Sequence, residues 1–75
     1  MLHGRIKRMV AAHGFGFIVD RAGLEWFFVE TGVRGGRFAA LRAEDHVVFA
    51  PEWVATGPRA TDIVRTTPRA EEDPR

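Results

Sequence analysis

Apolar and polar positions along this chain alternate mostly with the two-residue period of half-buried strands, and no long stretch shows the 3.6-residue period of an amphipathic helix. His3-Gly4-Arg5-Ile6-Lys7-Arg8-Met9-Val10 predicts a first strand anchored by Ile6. Gly14 to Asp20 predicts a second, alternating around Phe15, Gly16, Phe17 and Ile18, with Arg21-Ala22-Gly23 as the following turn. Glu25-Trp26-Phe27-Phe28-Val29 is a third, rich in the aromatic side chains that suit a pleated surface. His46-Val47-Val48-Phe49-Ala50 is a fourth, ended by Pro51, which has no N–H for a ladder. Arg59 to Arg65, led in by Gly57-Pro58, is a fifth. Between the third and fourth lies a long connection with a helix-like turn near Thr31-Gly32-Val33, a flexible Gly35-Gly36, and Phe38 and Leu41 to pin it to the body. Several short strands punctuated by Gly and Pro predict a closed all-β barrel or a small sandwich. The domain is expected over residues 1–66, followed by a disordered polar tail over 67–75 that has no apolar anchor.

The side-chain parity of the second and third strands is the informative feature. Alternate residues share a face, so with Ile18 in the core, Phe15 and Phe17 stand on the outside. Trp26 and Phe28 then point inward, leaving Phe27 and Val29 outward beside that pair. The inverted register, with Phe15 and Phe17 as core, would expose Ile18 to water. The flanking glycines are expected to remove bulk around the rings and admit a flat partner. Nucleic-acid bases stack on such platforms for roughly 1–3 kcal/mol each, whatever their identity. Lys7, Arg8 and His13 lie close enough in sequence to follow phosphates beside the rings.

Composition narrows the function. The chain of 75 residues carries a net charge of only +1. The charge is unevenly spread. Residues 1–42 hold seven cations against three carboxylates, whereas 43–65 hold two against four. A polyanion would dock on the first half. There is no Ser, Cys, Tyr, Asn or Gln. The usual nucleophiles are therefore missing, as are the side chains that read adenine bidentately. His3, His13 and His46 lack metal-ligand spacing, so no metal or cofactor is expected, and no catalysis. No apolar run approaches the roughly 20 residues of a membrane span, and Met1-Leu2-His3-Gly4-Arg5 lacks the apolar core of a secretory signal. A cytoplasmic monomer without membrane or small-molecule partners is expected. Trp53 is open to several readings: a replacement stacking ring, a plug at one barrel end, or packing on Pro51, with packing favoured.

Gly14-Phe15-Gly16-Phe17-Ile18 resembles the first RNA-binding motif of bacterial cold-shock proteins, and Glu25 to Val29 falls where their second motif lies. Gly4, Lys7, Gly35, Phe38, Leu41, Val47, Phe49, Gly57-Pro58 and Ala60 also match the family pattern, so the resemblance spans residues 1–65 without a gap. It implies a five-stranded antiparallel OB-fold barrel that binds single-stranded RNA or DNA with little sequence preference. Family members act as RNA chaperones or as regulators of transcription and translation. By position, Lys7, Phe15, Phe17, Phe27 and Phe38 match residues that contact nucleic acid, and Gly57 and Pro58 match a loop beside the same groove. Arg59, next along, joins Arg8, His13 and Val29 as a candidate contact. The departures are Arg8 for Trp, Met9 for Phe, His13 for Lys, Val29 for His and Glu30 for Phe. Losing two stacking rings, at Arg8 and Glu30, removes roughly 2–6 kcal/mol, of which an Arg8 guanidinium can restore part. Weaker, salt-sensitive binding is expected. The alternative is a degenerate OB module that keeps the barrel and works through protein–protein contact.

Overall fold

The computed structural model describes residues 1–66, and the predicted tail over 67–75 lies outside the described residues. Five strands form a closed barrel: β1 (Leu2–Val10), β2 (Phe15–Asp20), β3 (Glu25–Val29), β4 (His46–Val54) and β5 (Gly57–Arg65). Their order around the barrel is β1-β2-β3-β5-β4, with β4 returning to β1. This is an all-β barrel of OB type, consistent with the cold-shock arrangement.

The predicted five-stranded antiparallel barrel is present, and it closes through one parallel junction. The β3–β5 contact is parallel, through Phe27 opposite Arg59, and an isolated parallel bridge joins Val33 to Ile63. The reason is arithmetic: an odd number of strands cannot alternate in direction all the way around a closed ring. One junction must be parallel.

Alternation sorts the core as parity predicts. Ile6, Ile18, Phe28, Val47, Phe49 and Ile63 are fully buried, and Trp26 nearly so. The connection from β3 to β4 holds three 3-10 turns, and it is fastened by Val33, Phe38 and Leu41, all in the same core. Gly16 also faces inward. A Cβ there would lie 2.7 Å from the Arg8 carbonyl oxygen and 2.8 Å from the Phe28 ring. Its missing side chain thus makes room inside the barrel for Phe28, not outside it for a ligand as expected.

Two strands are longer than their sequence pattern indicated. β4 continues through Pro51 to Val54, and β5 begins at Gly57, making a hairpin. Pro51 is tolerated because β1 pairing with β4 reaches only as far as Leu2 opposite Phe49. Beyond that point β4 has a neighbour on one side only, where a missing N–H costs little.

At the β2–β3 turn, the Asp20 carboxylate accepts hydrogen bonds from the indole Nε1 of Trp26 (2.9 Å) and from the backbone N–H groups of Ala22 (2.9 Å) and Leu24 (3.0 Å). The Trp26 bond foremost holds the Asp20 pKa below its ordinary value of 3.8, against the opposing effect of burial and with the backbone donors at Leu24, Ala22 and Gly23 adding to it. The depressed value means that Asp20 stabilises the fold above its unfolded-state pKa and stops doing so as pH falls through the lower folded-state value. Asp20→Asn is therefore expected to be less stable than the parent near pH 7, with that gap narrowing toward about pH 2. Thermal unfolding at the two pH values checks it, and an unchanged gap would contradict it.

Candidate nucleic-acid interface

The strand register places a row of four side chains across the outer flank of the barrel. Arg8 on β1 lies opposite Phe17 on β2, Phe17 opposite Phe27 on β3, and Phe27 opposite Arg59 on β5. Val10, Phe15 and Val29 form a second row alongside. The Phe15, Phe17 and Phe27 rings make a triangle, with centroids 5.9 Å apart for Phe15–Phe17, 5.6 Å for Phe15–Phe27 and 5.8 Å for Phe17–Phe27. All three are half-buried. They are outside the core yet not bare to solvent, because each ring covers part of its neighbours. His13, exposed on the 3-10 turn Ala11–His13, adds a fourth ring at 6.4 Å from Phe15.

A β-bulge between Ile6 and Arg8 shapes the cationic border. Ile6 pairs with Ile18 and Arg8 with Phe17, so Lys7 is the extra residue. Strict alternation would turn Arg8 toward the core. The bulge instead leaves Lys7 and Arg8 both exposed and restores the phase so that Met9 packs on the core. The sequence holds a signal for it: Ile6 and Met9 are apolar and three apart, an odd spacing that one inserted residue reconciles with a single inward face.

Carboxylates engage two of the three cations. Lys7 makes a hydrogen-bonded ion pair with Glu25, which lies on β3 on the far side of β2. Arg59 stands opposite Glu52, with Nε 4.0 Å from Glu52 Oε1, and that Nε is buried with no hydrogen-bond partner. Among the described residues no carboxylate pairs with Arg8. Parity missed Glu25 and Glu52, because their proximity to the cations depends on register between strands.

Not every candidate belongs to the face. Phe38 is only 4% exposed and packs its ring 6.1 Å from that of Phe28, so the structure uses it as a core anchor and withholds it from the surface. Pro58 pairs with Trp53 on the hairpin, with parity opposite to that of Arg59. Gly57, at φ 126°, serves the turn. Val29 contributes apolar surface beside Phe15. Glu30 is exposed at the edge, and its carboxylate oxygen would lie 3.2 Å from a Cβ added at Gly14. Trp53 neither joins the platform nor plugs the barrel: it is 69% exposed, with its ring edge-on to Trp26 at 5.6 Å.

Among the described residues, no helix is long and apolar enough to cross a membrane, and no group of three His, Cys, Asp or Glu side chains is placed to hold a metal ion. Compared with known proteins, the chain matches no protein-family model and no curated protein.

Proposed function

We propose that this barrel binds single-stranded RNA or DNA with little sequence preference, as a divergent relative of the cold-shock proteins. It acts in the cytoplasm as an RNA chaperone or as a regulator of transcription or translation, and has no catalytic role. The observation that carries this reading is the Phe15–Phe17–Phe27 triangle on the outer flank, bordered by Arg8 and Arg59. Bases can stack on the rings whatever their identity, while Lys7, Arg8 and Arg59 are spaced to meet phosphates. A duplex keeps its base faces stacked inside the helix and cannot use the rings.

The carboxylates at the border favour weak binding. Glu25 and Glu52 compete with phosphate for Lys7 and Arg59, and Glu30 adds repulsion at the edge. These same groups favour the second reading, a barrel turned toward a protein partner.

Anisotropy titrations with an oligo-dT, a mixed-sequence RNA and a duplex, each at two salt concentrations, separate the two. Single strands are expected to bind better than duplex. If all three cations meet phosphate, log affinity should fall with log salt with a slope of about −2, at roughly −0.7 per neutralised phosphate. Glu25→Gln frees Lys7 and should tighten binding by about three- to tenfold, the range set by an exposed ion pair of up to ~1 kcal/mol plus relief of repulsion. No binding to any single strand, or affinity indifferent to salt, would exclude the nucleic-acid reading.

A further inference from the structure

A second basic site lies away from the aromatic flank, where the β3–β4 connection meets the end of β5. A cavity of about 490 Å³ opens there, within the roughly 300–1,000 Å³ typical of small-molecule sites. Among the described residues its charged lining is wholly cationic: Arg34 and Arg37 from the connection, and Arg65 from β5. Between them Val33, Leu41 and Ile63 back the cavity from within the core, and Val64, 36% exposed, presents the apolar surface.

The guanidinium groups are held loosely. Arg34 Nε lies 3.8 Å from Asp62 Oδ1, and a terminal nitrogen of Arg65 lies 3.7 Å from Asp45 Oδ2. Both separations exceed hydrogen-bond length, and both arginine side chains are more than half exposed. Exposed pairs of this kind are worth about 0–1 kcal/mol. Arg37 enters no ion pair with any described carboxylate. Three sets of planar donors thus line one cavity with few of their hydrogen bonds committed to described partners, and among the described residues no carboxylate lines it.

We propose that this cavity binds a small phosphorylated molecule with a flat apolar body, of the nucleoside polyphosphate class. Guanidinium groups match phosphate oxygens in bidentate geometry, and the polyphosphate spans the three arginines. The nucleoside's ring lies on the Val64 side, which is already 36% exposed and would be covered. Free inorganic phosphate satisfies the arginines but leaves Val64 wet, and adenosine does the reverse. The ligand class follows from needing both.

The test is calorimetric titration of the full chain, at low ionic strength, with ATP, inorganic phosphate and adenosine. ATP is expected to bind at least roughly tenfold more tightly than either fragment, and Arg37→Ala to weaken ATP by roughly tenfold or more, since a charge-assisted bond is lost. Arg37 is exposed and makes no described ion pair, so the variant should fold, and its thermal unfolding is measured alongside. Phe17→Ala separates this site from the stacking face, because ATP could also stack on the rings. ATP affinity is expected to survive Phe17→Ala and to fall in Arg37→Ala. The opposite pattern, no ATP binding at millimolar concentration, or adenosine binding as well as ATP would overturn the assignment. Because these arms do not use an oligonucleotide, failure of the stacking face would leave their outcome readable.

Discussion

Replacing Phe17 and Phe27 together by alanine is expected to lower affinity for a pyrimidine oligonucleotide by about 30-fold to 10⁴-fold. Each ring offers about 1–3 kcal/mol of stacking, and ~1.4 kcal/mol is a factor of ten. These two are the middle members of the cross-strand row from Arg8 to Arg59, the row on which the proposed binding centres. The fold should survive. Neither ring is in the buried core, and the substitutions remove half-buried apolar area together with ring–ring pairs worth about 0.5–1.5 kcal/mol each beyond that area. Circular dichroism with anisotropy measures both quantities. Binding unchanged in a folded double variant would remove the platform from the mechanism; unfolding without it would make the rings structural.

Gly16→Ala carries a large expected cost to stability. The added Cβ would meet the Arg8 carbonyl oxygen at 2.7 Å and two carbons of the Phe28 ring at 2.8 and 2.9 Å. The first of these is backbone on the neighbouring strand, and the ring belongs to a side chain with no solvent exposure. Neither can yield cheaply. Overpacking of this kind costs about 1–3 kcal/mol, against a total of about 3–10 kcal/mol for a domain this size at ~0.05–0.15 kcal/mol per residue. The melting temperature should fall by roughly 5–20 °C, given ~4–8 °C per kcal/mol for small domains. Scanning calorimetry tests this; a variant as stable as the parent would mean that β1 and β2 are not as close as described. Because Arg8 and Phe17 are register partners, the strain would also disturb the row from Arg8 to Arg59, and under the proposed function oligonucleotide affinity should fall with stability.

The strands and their inward faces were legible from two-residue alternation, because burying one side of a pleated strand imposes that pattern directly. The outward placement of Phe15, Phe17 and Phe27 followed from it. Pairing between strands was less legible. That Lys7 meets Glu25, and that Arg59 sits beside Phe27 opposite Glu52, depends on register, which single-strand parity does not contain. Phe38 shows the limit of reading by resemblance. Its position matches a contacting residue of the cold-shock family, yet here its ring fills the space under the long connection and packs against Phe28. Pro51 misled as a strand terminator because its tolerance depends on which side of β4 has a neighbour, a property of the whole sheet. The arginine cavity was invisible for a similar reason: Arg34 and Arg37 are separated from Arg65 by most of β4 and β5.

The parallel junction of β3 and β5 has a consequence for how binding and folding influence each other. It is the one place where the ring of strands is stitched by so few paired positions, Phe27 to Arg59 and Val33 to Ile63, and thus where the wall of the molecule would part first. The central row runs straight over it. A nucleotide chain resting on Phe27 while holding Arg59 would act as a suture across that gap, so occupancy would resist opening by the free energy that the split form cannot recover.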